Sequence, residues 1–303
     1  MPVLTNAPFG DRLAEALQQT KSALCVGIDP HPSLMTPLFC DKGQVTIDGL
    51  RAFSLAVIEA ARGLVPAIKP QAALFESYGP DGMSVLAEIA KAGQDAGLLV
   101  IMDAKRGDIG STSQAYANAY LGPDAPFPSD ALTVNPWMGL DTLEPFMTRA
   151  KETGSGLFIL VRTSNPGASD LQELSVSTNP DRLVYQQLAH DLAPLIGAET
   201  GAHNLSSFGI VAGATVPDQA AELRAILPHA PFLIPGFGAQ GAGPAHATTA
   251  LSKHAGHLGG GLVNSSRGIT FCPDAQKASN ISAFKDAVKQ AIGEQTDALN
   301  SVL

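Results

Sequence analysis

The sequence predicts an α/β chain folded as a (β/α)8 TIM barrel in a single domain. Three observations carry that expectation. Short apolar runs rich in Val, Ile and Leu alternate with longer amphipathic segments about eight times. The runs lack clean polar alternation, as expected of parallel strands covered on both faces. The 303 residues contain no linker that would divide them. A doubly wound open sheet shares the alternation, but a count near eight favours closure. The single domain is expected to span residues 1–303, with the barrel proper at about 23–293.

In chain order, strands are expected at Ala23–Asp29, Val65–Pro70, Leu98–Ala104, Ala131–Asn135, Leu157–Arg162, Phe208–Gly213, Phe232–Gly236 and Gly259–Asn264. Leu50, Phe53, Val57 and Ala61 form one helical stripe. Met83, Leu86 and Ala90 form another, with Asp81 as its cap and Gly97 as its stop. Leu188, Leu192 and Leu195 make a third, and Pro217 suits a first helical position, with Thr215 just before it. Pro123–Asp130 reads as a Pro-rich loop before the fourth strand and Gly167–Asp181 as a long polar loop after the fifth.

Composition excludes several classes. Hydrophobic residues are 45% and charged residues 16%, a globular balance rather than a disordered one. The net charge of −9 offers no basic footprint for nucleic acid. Cys25, Cys40 and Cys272 are odd in number and far apart, which argues against a disulfide framework or a CxxC site. The longest apolar runs, such as Ala23–Ile28 and Gly97–Met102, are too short to span a bilayer. Met1–Leu13 lacks a secretory pattern, so a cytoplasmic protein is expected.

Chemistry in such barrels collects at the C-terminal ends of the strands. Here those ends carry Asp29, Lys69, Asp103, Lys105 with Asp108 close behind, Arg162, and Arg267. Asp103 and Lys105 are two apart, so in a continuing strand both point into the barrel mouth, within reach of Lys69. A buried ion network adds little stability, because desolvation offsets attraction. An alternating set at a barrel mouth is therefore better explained by function. Beside two carboxylates Lys105 should stay protonated, as a proton donor or charge stabiliser rather than a Schiff-base nucleophile. A divalent metal held by Asp103 and Asp108 stays open at this point, although an ammonium between them would compete with it.

Gly236-Phe237-Gly238-Ala239-Gln240-Gly241 matches GxGxxG, a weak dinucleotide signal that here lacks the ribose-binding acid about 20 residues on. No Asp or Glu occurs from Leu223 to Pro273, where the charges are Arg224, Lys253 and Arg267. Gly-rich turns and an arginine in the seventh and eighth units suit a phosphate site. The histidines form no convincing site: His254 and His257 lack an acidic partner in sequence.

The run Asp103-Ala104-Lys105-Arg106-Gly107-Asp108-Ile109 resembles the DxKxxDI signature of the orotidine 5′-phosphate decarboxylase family. The Lys69 strand, the Gln240 turn and Ser266-Arg267-Gly268 fall in the family's order. The resemblance covers most of the chain. It is nearest the longer bacterial branch, through Val134-Asn135-Pro136-Trp137 and Arg162-Thr163-Ser164-Asn165-Pro166-Gly167. It implies cofactor-free, metal-free conversion of orotidine 5′-monophosphate to UMP and CO2 in pyrimidine biosynthesis. Lys69, Asp103, Lys105 and Asp108 would then form the charged catalytic network, with Lys105 as proton donor. Asp103 would lie near the substrate carboxylate. Asp29 and Lys69 would bind the ribose, Ser164 the pyrimidine edge, and Gln240 and Arg267 the phosphate. In the family the second aspartate of the motif comes from the partner, so Asp108, Ile109 and Thr112 would cross a homodimer interface with shared active sites. Two rivals are a magnesium-dependent sugar-phosphate decarboxylase or aldolase of the same barrel superfamily and a non-catalytic phosphate-ligand binding barrel. An NAD(P) oxidoreductase is disfavoured by the missing ribose acid.

Overall fold

A computed structural model of the chain describes residues 7–238 and 243–303. Eight parallel strands close into a barrel: β1 Leu24–Ile28, β2 Ala67–Pro70, β3 Leu99–Arg106, β4 Ala131–Val134, β5 Gly156–Arg162, β6 Phe208–Ala212, β7 Phe232–Ile234 and β8 Gly261–Ser265. Each pairs with its neighbour in sequence, and β8 pairs with β1. All eight fall within or beside the runs expected from the sequence. The main helices are α1 Phe9–Thr20, α2 Ile47–Ala61, α3 Gly79–Asp95, α4 Gly110–Tyr120, α5 Glu144–Thr153, α6 Val184–Gly197, α7 Pro217–Ile226 and α8 Ile281–Asn300. Between β7 and β8 the described residues form a short helix, Pro244–Ala247, and a hairpin of Ser252–His254 with His257–Gly259.

The register decides which side chains fill the barrel. Gly27 pairs with Lys69, Ile101 with Ala131, Thr133 with Phe158, Val211 with Leu233, and Asn264 with Cys25. Partners in a parallel ladder share a face, so these residues share the inward face. The lower interior is apolar, and polar side chains appear only toward the C-terminal ends.

Helix α1 closes the other end. Phe9 is fully buried and meets Phe158 edge to face, with ring centroids 5.9 Å apart. A Cβ on Gly156 would sit 2.2 Å from the Phe9 ring, so that glycine admits the plug. Arg12 pairs with Asp130 and donates to the Gly154 carbonyl, while Asp130 accepts from the Val100 amide at 2.8 Å. One buried acid thus ties α1 to the entry of β3, β4 and β5.

Two helix starts lie where the sequence signals place them, and one does not. Helix α2 starts at Thr46, whose hydroxyl accepts from the Gly49 amide, and Pro217 opens α7. Asp81 does not cap α3. That helix begins two residues earlier, after Tyr78, because Pro80 fits its first turn. Leu195 lies 37% exposed, off the buried stripe of α6. Gly167–Asp181 is largely structured: it runs through two short helices, Pro166–Ala168 and Ser169–Gln172, into a hairpin of Ser175–Val176 with Asn179–Leu183.

Replacing the plug, Phe9→Ala, should cost about 3–5 kcal/mol, the range for a buried aromatic truncated in a core. Urea unfolding at neutral pH measures it. A loss below about 1 kcal/mol would mean that α1 does not seal the barrel.

Candidate active site

At the barrel mouth one carboxylate is shared by two ammonium groups. Lys69 Nζ donates to Asp103 Oδ2 at 2.6 Å, and Lys105 Nζ donates to Asp103 Oδ1 at 2.6 Å. Gln71 adds a donor to Oδ2 at 3.1 Å, and the Thr133 hydroxyl adds one to Oδ1 at 3.1 Å. The side chains of Lys69 and Asp103 are 5% and 9% exposed, whereas Lys105 is 48% exposed. Of the two ammonium groups Lys105 is the more open to solvent, and Lys69 is the one set more deeply in the barrel.

The pair Asp103 and Lys105 meets as expected, but by a different route. The β3–β4 ladder shifts register between Met102 and Arg106. Lys105 lies at φ 47°, the left-handed region that a lysine rarely adopts. A bulge, not simple alternation, brings the ammonium back over Asp103. The Lys105 amide is satisfied by the Thr133 hydroxyl at 2.9 Å. On the far side Arg106 pairs with Glu76, receives Tyr116 and Tyr120 against its guanidinium, and donates to the Tyr120 hydroxyl.

Electrostatics hold Asp103 and Lys69 charged. Burial opposes ionisation of Asp103, but Lys69 and Lys105 outweigh it, and the carboxyl titrates well below the usual carboxylate range. Burial would push the Lys69 ammonium down, yet attraction to Asp103 and Asp29 leaves it above the ordinary lysine value. Cys25, beneath them and fully buried, is pushed up to about 12 by burial, so it remains a neutral thiol.

Beside this cluster lie polar atoms left unsatisfied by the described residues. Asp29 Oδ1, Asn264 Oδ1 and Ser266 Oγ are buried without a hydrogen-bond partner among them. A Cβ on Gly27 would come within 2.7 Å of the Ser266 side chain and 3.3 Å of Asp29 Oδ2, so glycine keeps this corner open. Such atoms are costly unless something bonds them.

Arg267 opens a short helix after β8, is exposed, and makes no ion pair among the described residues. Gly236 and Gly238 have φ of 104° and 72° and form the turn after β7. Gln240 lies outside the described residues. Ser164 follows β5 and packs against Gly213, whose Cβ would lie 3.0 Å from its own.

Not every expected residue joins the mouth. Asp108 Oδ1 accepts from its neighbouring Ile109 amide and pairs with no cation among the described residues. Ile109 is 61% exposed and Thr112 is exposed one helical turn on. Arg162 serves the loop after β5: it bonds Gln219, Gln172 and Glu173 and is 5% exposed. Trp137, just past the end of β4, is 70% exposed, with Met138 at 47%. No group of three or more His, Cys, Asp or Glu among the described residues could hold a metal. Sequence reasoning missed Gln71 and Thr133, since an ordinary Gln or Thr at a strand end carries no motif signal.

Residues 22–281 match the model of the orotidine 5′-phosphate decarboxylase / HUMPS family. An orotidine 5′-phosphate decarboxylase of Rhodopirellula baltica is 42% identical over 303 residues, covering 96% of this chain and 98% of its own. One from Streptomyces coelicolor is 44% identical over 238 residues, 78% of this chain and 82% of that one. The solved OMP decarboxylase of Leishmania donovani superposes with a TM-score of 0.74 at 31% identity, covering 97% of this chain and 98% of that one.

The depressed Asp103 pKa carries a sign. Its ionised form stabilises the fold above the unfolded carboxyl value of about 3.9, and that contribution is lost as pH falls toward the folded value. Asp103→Asn strands the buried Lys69 ammonium and should destabilise the protein by about 3–5 kcal/mol at pH 7. The gap between wild type and variant should narrow as pH falls through 4. Denaturant unfolding at pH 7, 5 and 3.5 measures this, and a pH-independent gap would refute it.

Proposed function

Because the chain belongs to the orotidine 5′-phosphate decarboxylase / HUMPS family, we infer that its barrel mouth converts orotidine 5′-monophosphate to UMP and CO2. The observation that carries the reading is the Lys69–Asp103–Lys105 cluster, a fixed charge array whose outer ammonium is open to a ligand.

The chemistry asks for little else. The bond between the pyrimidine ring and its carboxylate breaks, CO2 leaves, and the electron pair stays on the ring carbon. Lys105 Nζ stabilises that developing charge and then gives its proton to the same carbon, forming the C–H bond of UMP. With 48% of its side chain exposed, Lys105 can recover a proton from water. Asp103 lies beside the substrate carboxylate, held ionised by its two ammonium partners. Asp29 and Lys69 bind the ribose hydroxyls, which suits the unsatisfied Asp29 Oδ1. Ser164 meets the pyrimidine edge, and Gln240 and Arg267 hold the phosphate. Phosphate binding far from the reacting carbon supplies energy to order the site. No step in this sequence calls for a metal or an organic cofactor.

The reading is complete in a homodimer working in the cytoplasm. Asp108, Ile109 and Thr112 would reach the partner's mouth, each subunit lending them to the other. The exposed Ile109, Trp137 and Met138 beside them support such an interface.

Incubation with orotidine 5′-monophosphate should remove its ultraviolet absorbance, and a chelator should leave the rate unchanged. Lys105→Ala should lower kcat by about a thousandfold or more in a folded protein. Near wild-type turnover in that variant would end the assignment.

Arg267→Ala should weaken use of the phosphorylated substrate far more than of the free nucleoside, read as kcat/KM. Equal losses would show that Arg267 does not touch phosphate.

Mixing inactive Asp108→Ala with inactive Lys105→Ala subunits tests the shared site. Each mixed dimer holds one intact site. Random reassortment at equal amounts makes roughly half the dimers mixed, so roughly a quarter of wild-type activity should return. Subunit exchange, checked by pull-down of a tagged subunit, without recovered activity would mean that Asp108 does not act across an interface.

A further inference from the structure

We propose that Thr133 is the positioning residue that aims Lys105, and that its hydroxyl joins the carboxylate and the ammonium of the site into one rigid unit. The inference rests on the decarboxylase reading above and extends it to a residue on a neighbouring strand.

The hydroxyl has one proton and one job for each side. It accepts the Lys105 amide at 2.9 Å, so its own hydrogen is free to donate, and the Asp103 Oδ1 carboxylate oxygen at 3.1 Å is nearer and more negative than the Met102 carbonyl at 3.5 Å. The same Oδ1 receives Lys105 Nζ at 2.6 Å. Backbone amide, threonine hydroxyl, carboxylate and ammonium are therefore joined by three hydrogen bonds into a ring that begins and ends on Lys105. Thr133 is 1% exposed and inward-facing on β4, with Phe158 as its register partner. Water has little access to replace it.

The ring opposes a specific strain. Lys105 sits at φ 47° where the β3–β4 ladder loses its register, so its amide has no strand partner there. A left-handed lysine persists only where its surroundings over-determine it. Without the hydroxyl, the amide loses its acceptor, Asp103 loses one of four donors, and the backbone is free to relax. The ammonium then swings away from the position at which charge develops. Thr133 itself contacts only protein groups, so substrate affinity should be nearly unaffected.

The test compares Thr133→Val, Thr133→Ser and Thr133→Ala with wild type. Thr133→Val keeps the shape and removes the hydroxyl. It should lower kcat about tenfold or more, the scale of a lost hydrogen bond to a charged group, with KM within about twofold. Thr133→Ser should recover most of kcat. If the valine protein does not fold, serine against alanine decides, and serine should exceed alanine by about tenfold. Amide hydrogen exchange at Lys105 in the ligand-free protein gives a second readout: about tenfold or faster exchange in Val or Ala than in wild type and Ser. Equal kcat and equal exchange with and without the hydroxyl would overturn the proposal. A wild type that leaves orotidine 5′-monophosphate untouched would sink the functional reading instead, and the exchange comparison would still decide the role of Thr133.

Discussion

A carboxylate between two ammonium groups is the constraint on which the upper half of this barrel depends. Burying Asp103 is tolerable only because Lys69 and Lys105 lie 2.6 Å from its two oxygens. Burying Lys69 is tolerable only because Asp103 and Asp29 face it. Each charge is thus the condition for keeping the other. A hydrophobic replacement of similar volume would serve stability as well or better. What the ionic arrangement supplies is an ammonium, Lys105, whose position is fixed before any ligand arrives. That is preorganisation in the electrostatic sense: the donor need not reorient when charge develops.

The cost of that arrangement is distributed through the backbone. Lys105 occupies a left-handed conformation, and the ladder breaks beside it. Gly107 lies so close to the next strand that a Cβ would come 2.7 Å from the Asn135 carbonyl. Arg106, between them, is held by Glu76 and the faces of Tyr116 and Tyr120. The motif that reads in sequence as three charged residues is structurally a bulge braced on both sides.

That difference marks how far sequence could reach. The strands were legible because parallel strands covered on both faces are apolar throughout, and their order alone brings their C-terminal ends together. Asp29, Lys69, Asp103 and Lys105 were legible because a charge at the end of an apolar run is conspicuous. Thr133 and Gln71 were not, because their roles exist only through register: Thr133 faces Asp103 across the β3–β4 pair, and Gln71 bridges to Asp103 beyond the end of β2. Arg162 misled for the opposite reason. A charge at a strand end can turn outward, and this one binds Gln219 and Glu173 instead of the mouth. Asp81 misled because a proline two residues into the helix outweighed an acid as its start.

The two ends of the barrel divide the work. At the closed end Phe9, Phe158 and the Arg12–Asp130 pair spend their contacts on holding strands and α1 together. At the open end Asp29, Asn264 and Ser266 keep buried polar atoms without a partner among the described residues, a destabilising feature that packing elsewhere must offset. The chain carries a net charge of −9, yet from Leu223 to Pro273 it has no acid, and Arg267 lies exposed within that segment. On the proposed reading that acid-free stretch is where an anionic group would be held, against a net charge that would otherwise repel it. Closure of the sheet, rather than proximity in sequence, sets the strand before Arg267 beside the one that ends at Asp29, and that one beside the strand of Lys69, so residues more than 200 positions apart come to share one rim.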